Sequence, residues 1–568
     1  MCSRPAVFAI LLSLFSASQA AVAADTNNTV YEIFVRSFYD SDGNGVGDLK
    51  GVAAKLDDYL NDGKPETDTD LEVGILWLMP IFPTNSYHGY DVKNFRDINP
   101  EYGTIDDFKA LIAAAHSRGV RIILDIPFNH TSPDHPWFQE AVSTPTSSRR
   151  QFYHFHAEDS EHQNDPWHRP ANSTEIVRYL GLFSPQMPDL NFDNPVVLDE
   201  VRAIAKFWLD LGVDGFRLDA AKHIFADTFG RPSEQEILKN NDWWRKFSQF
   251  VYQTKPDAIL VGEVLGDPEM LRRHAWGNDG LLDEPYMNDI RNQVAWPREN
   301  FVSQWKAWTD SCRQLNRTAY DSSIGFPDQP FEPFIFVASH DRNPRFASDL
   351  EAMKSNGMQA SVEEAYRLGM YSLLSMAKYP VIYNGDEVMQ RGWKWNGNPP
   401  NSGDKPGDGS NVFDETLREP FPWNKNGAGA GQTTWFQPKF DHKDDGVSKE
   451  EQDHPEGLFH LVRGLTNFRA EHRDFADQFV RTVATDDRNW MAFERAGDNA
   501  SYMVIINLTN HGDSYHFHEQ WYPEYVGSQL MLWADGKARK WMDETPNDKH
   551  IGREAFVAPY GLVVLKAN

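Results

Sequence analysis

Two cysteines in 568 residues, Cys2 and Cys312, leave no room for a disulfide framework. Cys2 precedes an apolar run from Ala6 to Phe15, which follows Arg4 and leads into small residues around Ala20 and Ala23. That is the pattern of a secretory signal with its cleavage site, so residues 1–23 are expected to be removed and the mature chain to be periplasmic or secreted. With Cys312 alone remaining, stability would rest on the core and on any bound metal. Long apolar runs are also missing. The N-terminal run falls short of the roughly 20 residues that span a bilayer, and no later segment is long and apolar enough, which excludes a membrane span. Positive charge is scarce: 55 basic against 83 acidic residues give a net charge of -28, which excludes a polyanionic partner such as nucleic acid. A neutral substrate fits better, and most of the acidity reads as hydrated surface.

Aromatic residues, in contrast, are plentiful at 13%, with 18 tryptophans. Most belong in a core, but sugar rings offer apolar C–H faces to such side chains. From Asn28 onward, apolar β-type runs alternate with helical patterns, the signature of βα units around a parallel sheet. Strands are expected at residues 30–36, 74–79, 120–126, 215–219, 259–264, 334–339 and 381–383. An eighth is expected between about Gly280 and Asn288. Helical spacing marks residues 49–60, 105–117, 196–211, 361–377 and 458–470. Two stretches interrupt the alternation: residues 131–190, rich in His, Pro, Asn and Ser, and residues 388–455, rich in Gly, Asp, Asn and Lys. After about Asp474 short alternating runs announce an antiparallel β domain over residues 475–568. The barrel would then comprise residues 25–130 and 191–474, with residues 131–190 as an excursion from its third strand.

In a (β/α)8 barrel, polar residues at the C-terminal strand ends converge on one mouth. Four predicted strand ends carry acids: Asp125 in Leu124-Asp125-Ile126, Asp219 in Arg217-Leu218-Asp219, Glu263 in Gly262-Glu263-Val264, and Asp341 in Ser339-His340-Asp341. One such acid is ordinarily a cap or ion pair; four together point to chemistry. These segments, with Gly47-Asp48-Leu49-Lys50-Gly51, His88-Gly89-Tyr90-Asp91 and Met187-Pro188-Asp189-Leu190-Asn191, resemble in order the conserved regions of the α-amylase family, glycoside hydrolase 13.

The resemblance implies an α/β fold: a (β/α)8 TIM barrel, an inserted domain B after strand 3 and a C-terminal antiparallel β domain. It also implies a retaining glycosidase acting on α-glucans or maltooligosaccharides, with Asp219 as nucleophile, Glu263 as acid/base and Asp341 as the third carboxylate. Retention needs a carboxylate to attack the anomeric carbon and an acid to protonate the leaving oxygen. Arg217, two residues before Asp219, shares its face of the strand and can hold it ionised. By resemblance Tyr90 stacks under the sugar, His88, His130 and His340 bind hydroxyls, and Lys222 and His223 hold the leaving side. Ser339 departs from the family pattern, which usually has Asn there, and so puts in question the hydrogen bonding that orients His340.

Calcium is the expected cofactor. Asp40, Asp42, Asn44, the carbonyl of Val46 and Asp48 alternate, with Gly45 for a sharp turn, as in oxygen-rich calcium loops. Asn129, Asp189 and the carbonyl of His223 match a second family calcium position. His154, His156, His162 and His168 read as surface residues and not as a zinc site.

Within the family, Lys222-His223 resembles endo-acting amylases, and His88 stands where exo-glucosidases place an acid. The Met187 to Asn191 motif resembles the intermediate group between oligo-1,6-glucosidases and neopullulanases, which is mixed in activity. Endo-hydrolysis of α-1,4 bonds by a monomer is therefore expected. An exo-acting α-glucosidase or oligo-1,6-glucosidase, a maltooligosaccharide transglycosylase, and an inactive glucan-binding or accessory protein stand as alternatives. Trp393 and Trp395 offer either stacking to a glucan or packing against the barrel.

Overall fold

The computed structural model describes residues 27–67, 69–158, 166–171, 173, 175–225, 233–264, 280–281, 284–319, 333–396, 412–440, 444–476, 480–496, 500–516, 529–534 and 554–567. Parallel strands β1 (Val30–Ile33), β2 (Ile75–Leu78) and β3 (Arg121–Ile126) are followed by a small antiparallel sheet of β4 (Phe155–Ala157), β5 (Trp167–His168) and β6 (Val177–Leu180). The parallel sheet resumes with β7 (Gly215–Leu218), β8 (Ile259–Gly262), β9 (Gly280–Leu281), β10 (Phe334–Phe336) and β11 (Tyr379–Tyr383). Its order, β10-β11-β1-β2-β3-β7-β8-β9, is that of a (β/α)8 barrel, and all its ladders are parallel. Among the described residues no ladder joins β9 to β10.

All eight strands lie where the sequence placed them, several are shorter than expected, and β1 and β10 are shortened most, by three residues each. β1 stops at Ile33 because Val35–Phe38 turns helical, so Arg36 is not a strand residue. β10 stops at Phe336, and Ser339 belongs to the turn beyond it.

The helices carry their sequence signals. Thr104 and Asp107 form a capping box at the start of Ile105–His116; Ser361 and Glu364 do the same for Val362–Met376. Pro195 opens Pro195–Leu211, and Gly212, at φ 108°, ends it in the left-handed region. The helices Glu234–Thr254, Glu284–Ala295, Phe301–Ala319 and Phe346–Ser355 were not among the five helical patterns. Glu234–Thr254, Glu284–Ala295 and Phe301–Ala319 are polar on average, which hides them from a reading by apolar runs. Outward-facing strand residues such as Tyr31, Leu76 and Phe216 pack with helix residues such as Trp208 and Phe247 into one core. Trp208 lies fully buried there, and its indole N–H donates to the carbonyl of Phe95 at 2.7 Å.

The 388–455 stretch is not wholly irregular. Its described part holds the β12–β13 pair (Trp395–Asn396 with Val412–Phe413) and the short helix Lys449–Gln452. The C-terminal antiparallel sheet runs β14-β15-β16-β20-β18 (Val480–Asp486, Trp490–Ala496, Ser501–Asn507, Leu562–Lys566, Gln529–Ala534), beside a β17–β19 pair (Asp513–His516, Glu554–Val557). No described helix is long and apolar enough to cross a membrane.

Candidate active site

Strand alternation decides what reaches the mouth. Val30, Ile75, Trp77, Ile123, Ile259, Val261, Phe334, Phe336 and Val381 form a separate apolar cluster inside the barrel. One inward position further along, the same strands turn charged: Glu32 follows Val30, Asp125 follows Ile123, and Glu263 follows Val261. On β7 the small Gly215 gives way to Arg217 and then Asp219. The plug keeps water out from below and brings carboxylates together above it.

Arg217 organises them. Buried at 1% exposure, its Nη1 reaches Asp125 Oδ1 at 2.8 Å and Asp219 Oδ1 at 2.5 Å, and its Nη2 reaches Glu263 Oε2 at 3.1 Å. A guanidinium suits this task because its rigid fork serves several acceptors at once. Glu263 Oε2 also accepts the backbone N–H of Ala220 at 2.8 Å. Burial, with Asp125 and Asp341 nearby, pushes Asp219 up to about 6 against the pull of Arg217. Burial, together with Asp219 and Asp341, raises Glu263. An acid kept protonated toward neutrality beside a carboxylate held by a cation is the division of labour that acid-assisted nucleophilic displacement requires.

Asp341 is set apart by its partners. Burial works against its charge, yet His340 and Arg418 hold its carboxyl well below the usual range. His340 Nε2 lies 3.0 Å from Asp341 Oδ2, and Arg418 Nη2 lies 2.7 Å from Asp341 Oδ1. The same Arg418 nitrogen is 3.3 Å from Asp414, and its Nε donates to the carbonyl of His340 at 3.1 Å. His340 contacts Glu32 through Nδ1 and the Tyr90 hydroxyl, at 2.7 Å, through Nε2. Burial would lower its basicity, but Asp341 and Glu32 raise it to about 10. The question raised by Ser339 has a local answer: its hydroxyl accepts the backbone N–H groups of Asp341 at 3.4 Å and Arg342 at 3.2 Å, while side chains from other strands orient His340.

Tyr90 sits among these groups. Its ring lies 5.9 Å from His88 and 5.8 Å from His340, and its hydroxyl also donates to Asp125 at 3.1 Å. His88 Nδ1 accepts the Tyr90 backbone N–H at 3.1 Å, which leaves Nε2 carrying the proton in the neutral ring. Burial lowers His130 to about 4, so it is neutral, with Nε2 donating to the Tyr90 carbonyl at 3.2 Å. Lys222 and His223 occupy the turn after β7, which Ala220 enters at φ 49°. Phe183, 37% exposed, lies 5.6 Å from the rings of both His130 and His223.

The structure thus gathers Asp219, Glu263, Asp341, Tyr90, His88, His340 and Arg217 at one mouth. It adds Glu32, Asp414, Arg418 and Phe183, which the motif reading did not select, and the indole N–H of the plug's Trp77, which donates to Asp125 Oδ2 at 3.2 Å. Glu32 carried a signal, an acid inside the apolar strand Val30–Ile33, because a buried charge must find a partner. Trp393 is 39% exposed, and Trp395 belongs to β12.

Residues 32–478 match the family profile described as alpha amylase, catalytic domain. The chain belongs to the α-amylase family of glycoside hydrolases. Alpha-amylase 3 of Dictyoglomus thermophilum is 34% identical to this α-amylase-family enzyme over 541 residues, spanning 95% of this chain and 93% of the relative. The 4-alpha-glucanotransferase of Thermotoga neapolitana is 30% identical over 489 residues, spanning 84% of this chain and 95% of the relative. The crystal structure of the alpha-amylase from H. orenii superposes with a TM-score of 0.75 at 32% identity, covering 96% of this chain and all of that one. The fold is that of the α-amylases, and the enzyme acts on α-glucans.

For calcium, the loop after β1 fits by its chemistry. Carboxylate oxygens of Asp40, Asp42 and Asp48 lie within 4.8 Å of one another, a hard-oxygen set. Among the described residues no Lys or Arg forms an ion pair with any of the three. Gly45, at φ 93°, is required there, since a Cβ would meet Thr434 Oγ1 at 2.6 Å. Asn44 Oδ1 accepts the backbone N–H of Val46 at 2.7 Å. The second set, Asn129, Asp189 and His223, lines a cavity of about 270 Å³ between barrel and insertion. It brings one carboxylate, whose oxygens accept from Asn129 Nδ2 at 3.0 Å and Leu182 N at 3.1 Å. His154 and His156 line the same cavity, His168 Nε2 bonds the Gly181 carbonyl at 3.0 Å, and His162 lies outside the described residues.

Proposed function

We propose that this α-amylase-family enzyme hydrolyses internal α-1,4 bonds of starch and maltodextrins with retention of anomeric configuration. The observation that supports this most is the grip of one guanidinium, Arg217, on both Asp219 and Glu263. In this reading an Asp219 oxygen attacks the anomeric carbon as the glycosidic C–O bond breaks, and Glu263 gives its proton to the leaving oxygen. The resulting glycosyl ester is opened by water, whose proton passes to the Glu263 carboxylate, and Asp219 is released. Asp341 and Arg418 grip the sugar hydroxyls on the donor side, and Phe183 with Lys222 and His223 lines the acceptor side. The Met187 to Asn191 motif supports placement in the intermediate group of the family, and Arg4 with the Ala6 to Phe15 run supports export. Calcium in the Asp40 to Asp48 loop supplies structural cross-linking by charge neutralisation; the chemistry above needs only the chain's own side chains.

The test is the product profile from soluble starch and maltooligosaccharides, followed by chromatography and by anomer-resolving NMR. Mixed internal fragments released as the α-anomer are expected; glucose alone from the first minutes overturns the endo reading. The 30% identity to a 4-alpha-glucanotransferase favours transfer as a second activity, read as oligosaccharides longer than the substrate.

A further inference from the structure

On the opposite face from the mouth, the chain makes a detour before β2. Residues 61–67 and 69–73 leave the π-helical turn Leu56–Leu60 and return to it, with Leu71 N donating to the Tyr59 carbonyl at 2.9 Å and Val73 N to the Leu60 carbonyl at 3.0 Å. The detour is tied to the last barrel helix by Asn467 Nδ2, which donates to the Thr67 carbonyl at 3.0 Å, and to the chain's first described residue by Asn27 Nδ2 on the Glu72 carbonyl. It brings carboxylate oxygens of Asp62, Asp70 and Glu72 within 4.8 Å of one another. Asp70 is fully buried and Glu72 is 3% exposed.

The partners of these acids are unequal. Asp70 Oδ1 accepts Glu72 N at 2.8 Å, and Asp70 Oδ2 accepts Asp62 N at 3.2 Å and Thr69 Oγ1 at 3.3 Å. Asp62 accepts Lys64 N at 2.7 Å and Thr67 Oγ1 at 3.2 Å, and Lys64 Nζ stands 3.7 Å away with its side chain 63% exposed. Glu72, whose carboxylate belongs to the cluster, has no such support: its Oε1 is buried without a hydrogen-bond partner among the described residues. A buried carboxylate oxygen left without a donor is destabilising unless a cation or proton meets it. Arg473 contributes positive charge to Glu72 only at longer range.

We propose that Asp62, Asp70 and Glu72 form a structural divalent-cation site at the N-terminal face of the barrel, separate from the Asp40 to Asp48 loop, and that its occupant is calcium. The donors are hard oxygens, Asp62 is the least buried of the three, and a cation among them compensates Glu72, whose Oε1 no protein group meets. Because the site lies at the foot of β2, it pins the detour between the second strand and the Leu458–Glu471 helix and acts on stability, not on turnover.

The test uses the full chain and calcium itself as probe. Bound calcium after dialysis is counted by elemental analysis, and Tm is read with calcium and with chelator, for the wild type, Glu72→Gln, Asp62→Asn and Asp42→Asn. Glu72→Gln and Asp62→Asn are each expected to lose about one equivalent of calcium and a few degrees of the calcium-dependent rise in Tm. Activity at 25 °C with calcium present should stay within about twofold, because neither residue approaches the mouth. Asp42→Asn should keep the equivalent that the other two lose. Unchanged calcium content and an unchanged Tm rise in both Glu72→Gln and Asp62→Asn overturn the proposal and leave a protonated acid cluster in its place. Should Glu72→Gln fail to fold, the partly exposed Asp62→Asn decides alone.

Discussion

Glu32, the one acid inside the first barrel strand, grips Nδ1 of His340, a residue of the seventh strand's loop. The imidazole turns its other nitrogen to Tyr90 and Asp341, so a charge placed in β1 sets the protonation of a group at the mouth. His340, raised to about 10 from 6.5, contributes stability that is fully present below about pH 6.5 and is lost as pH rises through 10. Glu32→Gln keeps the shape and removes the charge. It should lower Tm, since breaking a buried pair costs about 3–5 kcal/mol, and bring the alkaline unfolding limb closer to neutrality. It should also lower kcat/KM about tenfold, as loss of an orienting partner does. A merely structural Glu32 would leave the alkaline limb of the pH–rate profile in place.

The pH–rate profile of the wild type follows from the Arg217 cluster. Asp219 must be ionised to attack, and burial has lifted it to about 6, so kcat/KM should fall roughly tenfold per pH unit below that value. Glu263 must be protonated, and its upward shift extends the active range toward neutrality. Arg217→Lys removes the fork that serves both carboxylates, and should cut kcat more than about a hundredfold with the acid limb displaced upward. An acid limb near pH 4 in the wild type would contradict the burial of Asp219.

How far this was legible depended on local pattern. The parallel strands stood out because both faces are buried and each reads as an apolar run, and even the two-residue β9 fell inside its expected window. Asp219 and Glu263 stand directly after β7 and β8, where position alone gives an acid meaning, while Asp341 lies in the turn five residues beyond β10 and was legible through its motif. Arg418 and Asp414 were not legible, because they come from a stretch without periodicity: Arg418 reaches Asp341, and Asp414 pairs with Arg418. Phe183 was hidden for the same reason: nothing in the insertion's sequence says that one aromatic of several reaches the barrel. The charge switch within strands, Val30 to Glu32 and Ile123 to Asp125, was legible in principle by period two, yet only the register of eight strands shows that the switch happens at one level.

Phe183 offers a discriminating substitution. Its ring lies between His130 and His223 and is one of the large apolar side chains left exposed. Phe183→Ala removes a stacking face worth about 0.5–1.5 kcal/mol. KM for long maltooligosaccharides should rise up to about tenfold, with kcat within about twofold and Tm unchanged. The effect should shrink for substrates too short to cross from barrel to insertion. Equal losses on short and long substrates would show Phe183 to be packing and not a subsite.

The Asp40 to Asp48 loop predicts a separate response to metal. Asp40 accepts three backbone N–H groups of its own loop, from Asp42 at 3.2 Å, Gly43 at 2.7 Å and Gly45 at 2.7 Å, and Asp48 caps the Leu49–Ala54 helix through Gly51 N at 2.8 Å. Both therefore have work without a cation, whereas Asp42, exposed at the tip, accepts only from Asn44 at 3.0 and 3.2 Å. Asp42→Asn is thus the substitution that weakens calcium while costing the fold at most one exposed hydrogen bond, that from Asn44 Nδ2. At calcium a hundredfold above Kd, occupancy stabilises by about 2.7 kcal/mol, so the wild type should lose a few degrees of Tm on chelation. Asp42→Asn should start lower in calcium and respond less to the chelator. The loop also touches the segment that carries the mouth's Arg418: Asp40 N donates to the Gly431 carbonyl at 2.9 Å, and Ser37 Oγ donates to the carbonyl of Arg418 at 2.5 Å. Chelation should accordingly raise KM modestly at temperatures below unfolding, and an unchanged KM after verified calcium removal would confine the metal's role to stability.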